Sequence, residues 1–400
     1  MKFAVIGPTF PFRGGISHYT TLLVRHLRQQ HEVRFYSYSR QYPRLLFPGN
    51  TSADPSASTL YEPCERTIDT LNPLTWWLTA RRIVKDRPDI LLLQWWTPFW
   101  LPLLLIVSWA ARRAGIPILY ISHQFIEPDS SIIEWFFVRM TLRLANGLIV
   151  TTEEEFGMAR RVLPGKPIRT GHIPVFEGFP QQHLTRDAAR RQLGIDTDAP
   201  LLLFFGFVRR YKGLRYLLDA LAKVSQPVFL LVAGEFWEDE QSYREQIKRL
   251  GLEERVIIQN RYINNEDIEP FFAAADALVL PYLSGSQSAV GMVALHYGVP
   301  VIATAVGGLA ETVIDGETGL IVPPSNSAAL AHAIDRFFRE KLGDVFRPTL
   351  AQERDRLSWA ALIHIIEELS NELSGASVSE RTSSLAAAAD DRSLGHHPSL

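Results

Sequence analysis

Arg209 and Lys212 stand three positions apart, directly after the apolar run Leu201–Phe207. A short, continuously apolar run reads as a buried strand, so both cations sit at its carboxyl end. From there both can reach one diphosphate, the guanidinium as a fork and the ammonium as a point charge. A second site of the same kind lies at Ser284–Ser288, small and hydroxyl-rich, where a helix must begin. A helix start leaves amides unpaired and carries the positive end of the dipole, so this loop can hold an anion. The two loops imply a phosphorylated ligand at the carboxyl ends of parallel strands.

Other positions surround that ligand. Gly14 and Gly15 close the loop after the first strand and open the next helix, where paired glycines allow close backbone approach. Their spacing is not a dinucleotide fingerprint. His123 ends the strand Ile118–Ser122 and can donate to a sugar or steer a leaving group. Tyr262 and Ile263 follow the strand starting at Val256 and are placed to frame a nucleobase. The triplet Asp196-Thr197-Asp198 reads as a turn. No other carboxylate pair or histidine cluster has ligand spacing, and the pair His396 and His397 is too small, so no metal is expected.

The elements that position these residues alternate. Phe3–Gly7, Val33–Tyr38, Ile90–Gln94, Ile118–Ser122 and Leu148–Thr152 read as strands, with an amphipathic helix over Ile16–Gln30. Arg40–Pro73 is a polar excursion longer than most loops. Alternation pauses around Pro174–Pro180, a linker. It resumes with strands at Leu201–Phe207, Val228–Gly234, Val256–Tyr262, Ala277–Pro281, Val301–Thr304 and Leu320–Val322. The expected fold class is α/β, with two Rossmann-like parallel-sheet domains facing across a cleft. The domains are expected over 1–178 and 179–345, with a C-terminal helical segment over 346–370 packing back on the first. From 371 to 400 Ser, Ala and Asp dominate, which predicts a disordered tail.

Bulk properties agree with an ordinary globular enzyme. The chain has 400 residues, 46% hydrophobic and 21% charged, so two domains are the natural expectation. A net charge of −2 gives no reason to expect nucleic acid as a partner. The single cysteine, Cys64, excludes an internal disulfide. The start MKFAVIGPTF reads as a strand rather than a signal peptide, which points to a cytoplasmic protein. Ile90–Ala111 has the length of a membrane span, but Gln94, Thr97, Pro98 and Pro102 split it into a strand and a helix.

The runs GVPVIATAVGGLAETVIDGETGLIVPP and FFGFVRRYKG, with the N-terminal glycine pair, resemble the GT-B fold glycosyltransferases, more narrowly the retaining family four. The resemblance covers roughly Met1–Glu368. It implies a nucleotide sugar as donor substrate, with no further cofactor. It implies Arg209 and Lys212 on the diphosphate, amides around Ser288–Val290 and Gly307–Gly308 on phosphate and sugar, and His123 near the anomeric centre. Glu311 is retained. Where the common pattern has two glutamates, Gly285 and Val293 stand here, and Gln287-Ser288-Ala289-Val290 resembles the Q-S-G-V variant instead.

The implied activity is retaining, metal-independent transfer of a hexosyl-type group to a glycan, lipid-linked or other hydroxyl acceptor, in cell-surface polysaccharide or glycolipid synthesis. The alternative is a catalytically degenerate nucleotide-sugar-binding or scaffold protein; a sugar-nucleotide epimerase would need cleft acids that the sequence does not supply. Trp76, Trp77, Trp95, Trp96, Trp100, Trp109 and Trp135 crowd the first domain. Helix Ile132–Ala145 mixes aromatics with Arg139 and Arg143. Such mixtures fit either a core or peripheral contact at an inner membrane face.

Overall fold

The computed structural model describes residues 1–43, 53–57, 60–124, 132–179, 181–195, 198–285 and 287–375. Two sheets, each parallel throughout, form its two lobes. The first contains β1 (Lys2–Ile6), β2 (Glu32–Arg40), β3 (Glu65–Asp69), β4 (Ile90–Trp95), β5 (Ile118–Ser122), β6 (Gly147–Val150) and β7 (Ile168–Thr170). Their order is β3-β2-β1-β4-β5-β6-β7. The second contains β8 (Leu201–Phe205), β9 (Phe229–Ala233), β10 (Val256–Gln259), β11 (Ala277–Leu280), β12 (Val301–Thr304) and β13 (Gly319–Val322), in the order β10-β9-β8-β11-β12-β13. The direction in which successive strands are added reverses between β1 and β4, and again between β8 and β11. A crevice opens at the carboxyl ends of the strands at each such point.

The helices of the first lobe are α1 (Gly15–Leu27), α2 (Pro73–Asp86), α3 (Leu101–Arg113), α4 (Ile132–Leu142) and α5 (Glu153–Val162). The second has α6 (Arg186–Gln192), α7 (Leu214–Leu221), α8 (Glu240–Arg249), α9 (Glu269–Ala274), α10 (Ala289–His296), α11 (Leu309–Thr312), α12 (Ser327–Arg339) and α13 (Leu342–Arg356). Crossovers from β3 through β7 all step the same way along the sheet. Right-handed connection therefore sets α2, α3, α4 and α5 on one face, while α1 occupies the other. Buried side chains agree. Ile83, Leu104, Val107 and Leu142 share a core with one side of the sheet, and Tyr19, Leu23 and Leu27 with the opposite side. The long apolar run from Ile90 divides into β4 and α3, and among the described residues no helix is long and apolar enough to cross a membrane.

A last helix, α14 (359–375), returns to the first lobe. Trp359 Nε1 donates to the Val175 carbonyl at 3.1 Å, and its ring stacks on His26. His31 Nε2 meets Glu367 Oε1 at 2.7 Å. Leu369 and Leu373 lie over Gly147 at the start of β6, so closely that a Cβ there would stand 3.0 Å from Leu373. This corrects the expected onset of the tail. Residues 371–375 remain helical because the i, i+4 spacing of Leu369 and Leu373 carries the buried stripe onward. The rest of the expected tail, 376–400, lies outside the described residues.

Candidate active site

A cavity of about 420 Å³ occupies the crevice between the two lobes. Its wall includes Gly14 and Gly15 from the loop after β1, and His123 from the end of β5. Lys212 follows β8, Tyr262 and Ile263 follow β10, and Gln287, Ser288, Ala289 and Val290 open α10. Ten residues expected at the site from sequence thus face one volume, although they come from both ends of the chain.

Lys212 is buried on a single tight turn, Arg210–Lys212. The turn closes with Gly213 at φ 71°, where a Cβ would fall 1.9 Å from the Pro281 carbonyl oxygen. Only glycine lets the turn press this close to the end of β11. The ammonium lies 5.7 Å from the Tyr282 ring centroid, and among the described residues no carboxylate forms an ion pair with it. Burial, with Arg209 adding a smaller repulsion, lowers its pKa to about 8. A buried cation without an anion is costly, and an anionic ligand would offset that cost.

Ser288 caps α10, its Oγ accepting from the Gly291 amide at 3.3 Å. The amides of Ala289 and Val290 precede the first intrahelical bond and stand in the cavity wall. Dipole and ammonium therefore converge on the same space.

His123 is held on the opposite wall. Its backbone amide donates to the Trp95 carbonyl at 2.8 Å, its ring meets Tyr19 edge-on at 4.5 Å, and Nε2 lies 2.6 Å from Gln94 Oε1. Burial drives its pKa down to about 3, so the imidazole is neutral near neutrality. Pairing with the Gln94 oxygen assigns the proton to Nε2 and makes Nδ1 the acceptor. The ring can bind and orient a hydroxyl; it is not a proton donor of the imidazolium kind.

Four expected residues lie elsewhere. Arg209 precedes the turn in extended backbone, and its side chain is exposed. Its guanidinium sits 5.2 Å from the centroids of both Tyr211 and Trp237, in an adjoining groove. The tight turn rotates successive side chains, so Lys212 points in when Arg209 points out. Gly307 and Gly308 lead into α11 and do not line the cavity. Glu311 accepts from the Glu153 amide at 3.1 and 3.2 Å, a contact between lobes. Gln287 also bridges, donating to the Thr151 carbonyl at 3.1 Å while Thr312 Oγ1 donates to its Oε1. Asp196 and Thr197 of the predicted turn, and Ser286 of the anion loop, lie outside the described residues.

Several groups of the site were not singled out from sequence. Arg13 is almost wholly buried between the lobes, donating to Glu235, with its guanidinium 4.3 Å from the Tyr262 centroid and 5.2 Å from that of Phe207. Asp54 accepts from the Ser56 amide at 2.9 Å and faces His18 Nε2 at 3.4 Å. Burial alone would raise that carboxyl, but hydrogen bonds from His18 and Ser56 outweigh it and hold the pKa at about 2. Ser56 Oγ in turn accepts from the Asn265 amide of the other lobe at 2.9 Å. Arg13 directly precedes the glycine pair and Glu235 follows a strand end, so position relative to the strands was the available signal.

Residues 14–175 match the family model of the glycosyl transferase 4-like domain, and residues 185–357 that of the group 1 glycosyl transferases. A D-inositol 3-phosphate glycosyltransferase of Streptomyces scabiei is 28% identical over 263 residues, 58% of this chain and 57% of that protein. An uncharacterized glycosyltransferase of Methanocaldococcus jannaschii is 29% identical over 150 residues, 37% of this chain and 38% of that one. The chain thus spans 38% to 57% of the length of these two curated relatives. Among solved structures, Anabaena HepE in complex with UDP superposes with a TM-score of 0.71 at 19% identity, covering 93% of this chain and 100% of that one. Sucrose-phosphate synthase of Thermosynechococcus elongatus gives 0.69 at 22% identity, covering 94% and 100%. Those likenesses establish the fold. With a family model matched on each lobe and two parallel-sheet lobes around one crevice, the chain belongs to the GT-B glycosyltransferases of the group 1, 4-like type.

Proposed function

We propose that the chain transfers a sugar from a nucleoside diphosphate donor to a hydroxyl acceptor, with retained configuration and without a metal. One observation carries this reading: the buried ammonium of Lys212, without an ion pair among the described residues, shares a cavity with the first amides of α10. That pairing of charge and dipole suits a diphosphate both when bound and as it departs. Anabaena HepE, of the same fold, was solved with UDP and with UDP-glucose, which supports a nucleotide sugar as donor here.

In the proposed reaction the anomeric carbon–oxygen bond to the diphosphate breaks, and the acceptor oxygen bonds to the same face. The acceptor's proton passes to the departing phosphate oxygen. Lys212 and the α10 amides take up the charge that develops there. Neutral His123 orients a sugar hydroxyl, while Arg209, exposed in the adjoining groove, adds positive potential near the diphosphate. Gly307, Gly308 and Glu311 support the α11 side of the site rather than touch the donor.

The acceptor is a glycan or a lipid-linked hydroxyl, in cell-surface polysaccharide or glycolipid synthesis. Support for a lipid-linked one comes from the outer face of the first lobe. Leu74, Trp77 and Leu78 of α2, Trp109 of α3 and Phe136 of α4 are exposed there. Arg81 lies over Trp77 at 4.6 Å and Arg113 over Trp109 at 5.1 Å. Exposed indoles edged with guanidinium suit an anionic bilayer interface, such as an inner membrane face.

A second reading, a binder without turnover, draws on Val293, an apolar side chain in the cavity wall where a carboxylate is common in the family. Incubating the purified chain with UDP-, ADP- and GDP-sugars separates the two. Release of nucleoside diphosphate, abolished in Lys212→Ala, supports the transferase; binding without release supports the second reading.

A further inference from the structure

Among the described residues that line the cavity, Glu235 is the one carboxylate. It is held there firmly. Gly234, at φ 149°, packs so tightly on the end of β8 that a Cβ would fall 2.0 Å from the Gly206 carbonyl oxygen. The Glu235 carbonyl accepts from the Val208 amide at 2.9 Å, and Trp237 Nε1 donates to Oε1 at 3.2 Å. The other carboxylate oxygen takes Arg13 of the first lobe.

Its neighbours fix what a nucleotide would present to it. Gly206 touches Gly234 on one side, and on the other a Cβ at Gly206 would stand 3.2 Å from Lys212 Nζ. The cavity's ammonium and its carboxylate therefore flank one glycine. Arg13 ties Glu235 to Tyr262, since its guanidinium contacts both. A carboxylate repels a diphosphate, so the phosphates belong at Lys212 and α10 and the next moiety at Glu235. In a nucleoside diphosphate that moiety is the ribose, whose vicinal diol can donate to a carboxylate oxygen. The base then falls toward Tyr262 and Ile263.

Resting on the transferase reading above, we propose that Glu235 holds the ribose diol of the donor and sets a preference for ribonucleotides, with Arg13 as its partner across the lobes. The Arg13–Glu235 pair yields one carboxylate oxygen to the ligand and keeps the lobes together meanwhile. A buried acceptor built for a hydroxyl discriminates strongly against a ligand that lacks it.

The test is calorimetric titration of the full chain with UDP, ADP and GDP, then with the 2′-deoxy form of whichever binds. The deoxy ligand should bind about tenfold more weakly to the native protein. In Glu235→Gln, which keeps size and shape, the preference should shrink to less than about threefold while the Tm stays within a few degrees. Equal affinity of the native protein for both ligands overturns the assignment, and so does full discrimination by Glu235→Gln. If that variant unfolds, Glu235→Asp should retain part of the preference; loss of binding to both ligands alike would mark Glu235 as a lobe tie only and sink the proposal. Failure of all three ribonucleotides to bind would remove the transferase reading itself, and the ribose site with it.

Discussion

A Cβ on Gly15 would stand 3.1 Å from the Cβ of Ala289. One residue opens the first helix of the first lobe, and the other opens α10 in the second. The two helix starts meet across the crevice with room for hydrogen and little else. Gly15→Ala should therefore hold the lobes slightly apart and weaken nucleoside diphosphate binding, with little change in Tm because the helix itself accepts alanine. Calorimetry beside a melting curve checks this; unchanged affinity would mean that closure at this point is not needed for binding.

Lys212 gives a sharper expectation. Its ammonium is buried without an ion pair among the described residues, so it weakens the empty protein. Lys212→Met should raise the Tm of the empty protein. It should also lower nucleoside diphosphate affinity on the order of a hundredfold, the worth of one strong charge-assisted hydrogen bond. A variant that melts lower while binding normally would contradict both halves.

The same side chain makes binding depend on pH. Below about 8 the folded protein carries the ammonium, and above it the neutral amine. Affinity for a nucleoside diphosphate should fall as pH rises through that value, and Lys212→Met should flatten the fall. Stability of the empty protein runs the other way. From about 8 to the ordinary value of 10.5 the unfolded chain binds more protons than the folded one, so this group's contribution rises with pH. Denaturant midpoints measured across the window supply the check.

The exposed aromatics of α2, α3 and α4 carry the remaining expectation. The full chain should co-sediment with phosphatidylcholine vesicles containing about 30% phosphatidylglycerol at low salt, and much less with phosphatidylcholine alone. Replacing Trp77, Trp109 and Phe136 together by serine should cut the bound fraction about tenfold without altering nucleotide affinity. Equal sedimentation of native and altered chains would dismiss membrane contact at this face.

Strand positions in the lobes were readable wherever burial on both faces demands an unbroken apolar run: Ile118–Ser122 and Val301–Thr304 match the structure residue for residue. Two edge strands were not. Glu65–Asp69 is ERTID and Ile168–Thr170 is IRT, each pairing on one side, so neither needs the apolar signature. At the site, loops at strand ends were legible because the parallel fold sends them all to one rim. Which way a loop side chain points was not, as Arg209 and Lys212 show. Nor was the Arg13–Glu235 pair, whose partners are 222 positions apart and meet only when the lobes close.

Because the chain crosses back through Leu357 to seat Trp359 beneath Val175 and Tyr19, the first lobe is not one continuous stretch of sequence. A fragment cut at the linker near residue 178 would bare the apolar bed of α14 and be expected to clump. Grafting 359–375 onto such a fragment is the economical way to make the first half soluble by itself. It follows that two chain segments join the lobes, so a cut in either one alone leaves the halves tethered by the other.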